Sequence, residues 1–199
     1  MEKVLKIRIF LVLLILASFL YAHKPLNNPK ESRDYQGAID IEDPEVSYVV
    51  YHEVTEERPR VWLKLEAEAG HRLYVSLGVP VIERLGDYKP AVAVIGPGLP
   101  DREFDFDTPE GTGAVVFETE DIDEPRFFHE PFTGTDSWIY IQEWVTLPVT
   151  DTYYIVAYHP DDTPGKLWVA PGTKERWDFL DIFTLPAVIK PVREFHERR

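Results

Sequence analysis

Hydrophobic and polar positions alternate most regularly in the last third of the chain. Along Ser137–Leu147, Ile139, Ile141, Val145 and Leu147 alternate with Trp138, Tyr140, Gln142 and Trp144. Two is the side-chain period of a β-strand, so the aliphatic set is expected on one face and the aromatic set on the other. Thr152–His159 and Lys166–Ala170 read as two further strands, separated by the Pro160–Gly165 turn. Upstream, Val61, Leu63 and Leu65 alternate with Trp62, Lys64 and Glu66. After Ala69-Gly70-His71, Leu73, Val75, Leu77 and Val79 answer them, which predicts a hairpin closed at Gly70. Val46–Tyr51, Pro90–Ile95 and Ala114–Glu118 are shorter strand-like runs, and Asp101–Asp107 reads as a loop or edge strand. Seven to nine strands with turn signals between them predict an all-β fold, an antiparallel β-sandwich or jelly roll.

Both ends depart from this period. Residues 1–22 carry a basic start (Lys3, Lys6, Arg8), an apolar run over Ile9–Leu20 and Ala22 at a cleavage position, the pattern of an export leader. Retention of the run as an anchor is the alternative. Residues 23–45 read as an extended arm anchored by Ile39 and Ile41, 46–172 as the sandwich, and 173–199 as a helix and tail. In that tail Trp177, Leu180 and Phe183 fall three apart, the spacing of a short amphipathic helix over Lys174–Phe183. Pro191 precludes a long regular helix beyond it. This helix either covers the open end of the sandwich or serves as a foot for a partner or a membrane surface. Arg193, His196, Arg198 and Arg199 make the second role electrostatically reasonable.

Charge narrows the partners. The chain has 35 acidic against 21 basic residues, a net charge of −14. Cleavage after Ala22 leaves 177 of the 199 residues and removes three bases and one acid, giving −16. Such a surface repels nucleic acid and attracts cations. Zero cysteines exclude disulfides, thiol catalysis and iron–sulfur clusters.

Two resemblances bear on the fold. Glu66-Ala67-Glu68-Ala69-Gly70-His71-Arg72-Leu73-Tyr74-Val75, with the late Thr150-Asp151-Thr152-Tyr153-Tyr154-Ile155-Val156, resembles the secreted bacterial domains that follow peptidase catalytic regions. Those domains are β-sandwiches, and the resemblance spans Val61–Gly172. Asp151 or Thr152 stands where that pattern expects glycine. The chain is also similar to a family of uncharacterised exported prokaryotic proteins, through Ala22–Pro25, Pro80–Leu85, Gly96–Pro100, Phe128–Gly134 and Thr152–Tyr154. That resemblance implies export and a sandwich and carries over no catalytic residue.

Three kinds of binding chemistry suit the residues. Cleavage after Ala22 makes His23 the first residue, whose amine and ring nitrogen together with His129 or His159 form a three-nitrogen set suited to copper. Calcium would draw on Asp121, Asp123 and Glu124, on Asp161 and Asp162, or on Asp101, Asp105 and Asp107, none with the spacing of a helix-loop-helix site. Trp138, Tyr140 and Trp144, with Trp62 and Trp168, lie opposite aliphatic positions and offer flat rings to a sugar or a protein. Core packing is the competing use of the same rings. Ser47, Ser76 and Ser137 lack a glycine-flanked nucleophile elbow, and the chain holds no His-Glu-x-x-His motif or phosphate-binding glycine loop. Glu130, Asp136 and Glu143 remain as carboxylates for glycoside hydrolysis. The reading that follows is an exported, non-enzymatic binding or structural accessory module, with a small copper-binding protein built on His23 as the alternative.

Overall fold

The computed structural model describes residues 24–26, 28, 30–131, 133–175 and 189–197. Among them are eleven strands: β1 (Lys24–Pro25), β2 (Ile39–Ile41), β3 (Tyr48–Val54), β4 (Arg60–Ala67), β5 (Arg72–Pro80), β6 (Ala91–Gly96), β7 (Gly113–Phe117), β8 (Arg126–Glu130), β9 (Thr135–Thr146), β10 (Asp151–Tyr158) and β11 (Gly165–Pro171). They form an all-β, mostly antiparallel sandwich. One sheet runs β1-β3-β11-β5-β9-β8 and the other β2-β4-β10-β6-β7. β1 and β2, contributed by the arm, add in parallel to β3 and β4. Ile41 enters the core and Ile39 packs against it.

The interior follows the period of two. Val61, Leu63 and Leu65 of β4 and Leu73, Val75, Leu77 and Val79 of β5 are all within 1% of complete burial. They belong to one cluster with Ile155, Leu167 and Val169. The predicted hairpin does not form. β4 pairs with β10 and β2, whereas β5 pairs with β9 and β11. The Gly70 turn therefore carries the chain from one sheet to the other. An alternating pattern says which side is apolar, and both arrangements bury that side. Backbone bonds stitch this turn to the equally crossing turn after β9: Gly70 N to Leu147 O (2.7 Å) and Leu147 N to His71 O (2.9 Å).

Tyr153 locks the same end. Its ring is fully buried, and its hydroxyl donates toward the carbonyls of Val149 (2.9 Å) and Pro97 (3.2 Å) while accepting from Val149 N. Gly96 leaves room for the ring, since a Cβ there would lie 2.1 Å from it. Tyr153→Phe keeps the ring and strands the Val149 amide, so a loss of about 1–3 kcal/mol is expected. Urea unfolding measures it, and an unchanged midpoint would show the corner bond to be dispensable.

A second correction concerns β9. Leu77 pairs with Ile141 but Gly78 pairs with Ile139, so Tyr140 is an extra residue, a β-bulge. Alternation reverses there. Ile141 and Val145 face the main core, while Ile139 joins Val49, Trp168 and Ala170 on the opposite face of the sheet.

Both outer faces are partly covered. Tyr35 and Ala38 of the arm, with Phe104 and Phe106 of the 97–112 loop, pack over Trp62, Ala93 and Val156 on the five-stranded sheet. On the six-stranded sheet residues 189–195 form a helix, α1. It spans Pro191, and Val192 and the following His196 are buried. The predicted helix over Lys174–Phe183, with its docking residues Trp177, Leu180 and Phe183, lies outside the described residues apart from its first two positions. No helix among the described residues is long and apolar enough to cross a membrane.

Candidate functional site

The five aromatic residues expected to contact a ligand occupy three environments. Trp62 is 1% exposed and meets Tyr35, Phe106 and Tyr154 edge-on. Trp168 is 4% exposed and donates from Nε1 to Ser137 Oγ at 3.1 Å. Both are interior residues, a correction that follows from the coverings over the two outer faces. The bulge divides the rest. Trp138 pairs with Val79 on the inner side and contacts Phe127, and Tyr140 packs against the main core. Trp144 stands opposite Tyr74 on the outer side.

Trp144 remains 46% exposed. Its ring lies 5.0 Å from that of Tyr74, tilted by 58°, and the Arg72 guanidinium lies 5.0 Å from its centroid. Gln142 Nε2 donates to the Tyr74 hydroxyl at 2.8 Å. The register explains the cluster: Tyr74 and Trp144 are direct cross-strand partners, and Arg72 and Gln142 share their parity on β5 and β9. Tyr74, Arg72 and Gln142 escape a reading of the sequence because their proximity to Trp144 depends on which strands pair. Among the described residues the cluster is an aromatic surface of the six-stranded sheet that α1 does not cover.

The histidines are held by local partners. His129 Nδ1 lies 2.6 Å from Asp136 Oδ1 on β8 and β9. His159 stacks on Tyr88 (4.8 Å between centroids) and accepts from the Asp161 amide at 3.2 Å. Burial holds the His159 ring below its ordinary pKa, against the pull of Asp161 and Asp162. It lines a groove of about 370 Å³ with Tyr88, Asp87 and Thr163. His23 lies outside the described residues. Its chain neighbour Lys24 is in β1 and His129 in β8, the two opposite edges of one sheet, five strand spacings or about 24 Å apart across it.

Among the described residues no three His, Asp or Glu side chains converge as a metal site. Asp105 and Asp162 instead flank Arg60, at 3.8 and 3.2 Å. The proposed carboxylate pairs also separate. Asp136 and Glu130 project to opposite faces of the β8–β9 hairpin, by their register. Glu143 stands about 20 Å further along β9, beyond the roughly 9.5 Å span of glycosidase carboxylates. Ser47, Ser76 and Ser137 are all buried.

Two buried polar networks were not anticipated. In the first, His52 is fully buried, with Nε2 3.0 Å from Arg58 O and Nδ1 3.1 Å from Asn28 Nδ2. The carbonyl requires a proton on Nε2, so Nδ1 is the acceptor and the ring is neutral. Asn28 also bonds Tyr51 O, Ser32 and Arg58, tying the arm to β3. In the second, Trp168 donates to Ser137 Oγ, Ser137 Oγ lies 3.2 Å from His196 Nε2, and His196 Nδ1 lies 2.8 Å from Val192 O. Lys166 Nζ bonds Phe195 O at the carboxyl end of α1 and pairs with Glu197. These contacts attach α1 to β9 and β11.

No protein-family model matches the chain, and no curated protein matches it. Neither resemblance drawn from sequence segments is therefore confirmed. Among solved structures the chain is similar to Aeromonas hydrophila PliG, a periplasmic lysozyme inhibitor of g-type lysozyme. The TM-score is 0.39 and the identity 14%, over 76% of this chain and 98% of that one.

Proposed function

We propose that the protein is an exported, non-enzymatic binding or accessory module that meets a protein partner through the Tyr74–Trp144 face. The leader-like pattern of residues 1–22 supports export. The observation that carries the binding role is Trp144, nearly half exposed on a sheet where the outward ring of Tyr51 packs against Phe195 and that of Trp168 is buried. Tyr74 and Arg72 brace the indole, so little side-chain freedom remains to be lost on binding. Tryptophan, tyrosine and arginine are also the residue types that dominate protein interfaces.

A photo-crosslinking residue at Thr146, beside Trp144 on the same face, tests this in the producing cells. A protein adduct is expected from position 146, absent from an exposed control at Glu110 and lost when Trp144→Ala is added. Equal labelling from 146 and 110, or an adduct indifferent to Trp144→Ala, would exclude this face. Catalytic turnover by the isolated protein would overturn the non-enzymatic reading.

A further inference from the structure

We infer that β8 is a self-recognition edge, through which two copies of this chain join their six-stranded sheets antiparallel about a two-fold axis at Phe128. β8 ends its sheet, and among the described residues no strand lies beyond it. Phe127 on this strand is 53% exposed, the most exposed large apolar side chain among the described residues. The other sheet ends differ. β1 and β2 are two and three residues long, and β7 has the 97–112 loop beside it, with Ala114 N bonded to Pro100 O. An open edge strand with an exposed aromatic ring is a template for another strand.

The backbone selects the register. The N–H and C=O of one strand residue point to the same side, and successive residues alternate. Asp136 O accepts from Val81 N at 2.9 Å, so residue 136 faces the β5 side and Ser137 faces β8. Phe128, the partner of Ser137, therefore faces β9, as do Arg126 and Glu130. The amides and carbonyls of Phe127 and His129 point outward. An axis at Phe128 sets Phe127 opposite His129 of the second copy, twice, and joins all four outward groups on each strand in four hydrogen bonds. An axis at Phe127 would oppose Pro125 to His129, and one at His129 would oppose Pro131 to Phe127. Proline has no N–H to give.

Side chains agree with that register. The strand reads Arg-Phe-Phe-His-Glu. Under two-fold symmetry Arg126 lies opposite Glu130 of the second copy at both ends, and the reverse. Opposite charges directly across a strand pair are favourable and like charges unfavourable. Phe127 and Trp138 lie on the inner side of the same edge, where the second copy extends the covered surface.

Sedimentation equilibrium of the secreted protein across a wide concentration range tests this. A reversible dimer is expected. Arg126→Glu, which opposes two acids at each end, should weaken it roughly tenfold or more. Glu130→Arg should act likewise, and the double exchange should restore dimerisation. His129→Pro, which removes an outward N–H not used by β9, should leave a monomer. Should that variant fail to fold by circular dichroism, the exposed Arg126→Glu exchange and its reversal decide the question. A wild-type monomer at every concentration, a dimer indifferent to Arg126→Glu, or a double exchange that does not restore association would each overturn the inference.

Discussion

Trp168→Ala is expected to lower the unfolding free energy by about 3–5 kcal/mol, the range for removing a buried tryptophan. The indole is 4% exposed, and it fits because position 78 is glycine: a Cβ at Gly78 would lie 2.2 Å from the ring. The loss extends beyond volume. Trp168 Nε1 holds Ser137 Oγ, which in turn meets His196 Nε2. Removing the donor leaves a buried polar pair with one partner fewer. Hydrogen exchange should therefore rise over residues 189–197 as well as in β11. Trp168→Phe keeps most of the packing and loses the N–H, so a smaller loss of about 1–3 kcal/mol is expected, with faster exchange again in α1. Denaturant unfolding together with exchange mass spectrometry reads both effects. A Trp168→Ala protein of wild-type stability, with α1 equally protected, would contradict the packing described.

The second large effect is a dependence of stability on pH centred on His52. Its pKa is lowered to about 4 by burial and by the positive charge of Arg58, against the opposing effect of the Arg58 carbonyl. Protonation would place a second N–H at Nδ1, facing the Asn28 amide donor. An unfolded histidine takes up its proton near pH 6.5, so between pH 6.5 and about 4 the unfolded state holds more protons than the folded one. Stability then rises with pH across this window and falls on acidification. The separation of pKa values corresponds to about 3 kcal/mol, fully present above pH 6.5 and lost by about pH 4. Carboxylates titrate over the lower part of the same range, so the comparison is with His52→Gln. That variant is expected to be less stable at pH 7 but to lose less on acidification, its slope shallower by up to about 1.4 kcal/mol per pH unit. Parallel stability curves for the two proteins from pH 7 to 4 would remove His52 as the cause.

These two residues show where reading the sequence stops. The period of two sets Trp168 and Trp62 on the outward side, opposite their strand neighbours Leu167, Val169, Val61 and Leu63, which fill the core. Outward, however, meant buried, because the arm, the 97–112 loop and α1 form a further layer over both sheets. A period of two reports the two sides of a strand and carries no information about what lies on the second side. The aromatic stripe of β9 failed for a different reason. One bulge residue, Tyr140, reverses the alternation, and Trp138 and Trp144 part to opposite faces. Nothing local marks Tyr140 as the extra residue; the mismatch between Leu77 and Gly78 on the paired strand defines it. His52 lies one residue past the predicted Val46–Tyr51 strand, whereas β3 runs on to Val54, and its network depends on Asn28 and Arg58, brought to it by the arm and the turn after β3.

By itself the sequence determined that the chain makes strands, where most of them begin and end, and which side chains form the central interior. Those properties follow from a repeat of two residues and from proline and glycine between the runs, both local. Only the tertiary structure decided that the Gly70 turn crosses between sheets, that His196 beyond α1 joins the buried Trp168–Ser137 pair, and that Trp144 stays nearly half exposed while β8, among the described residues, ends its sheet. Strand pairing joins residues far apart in the chain, and burial on an outer face depends on whatever segment comes to lie over it, so neither is written in the spacing of one strand.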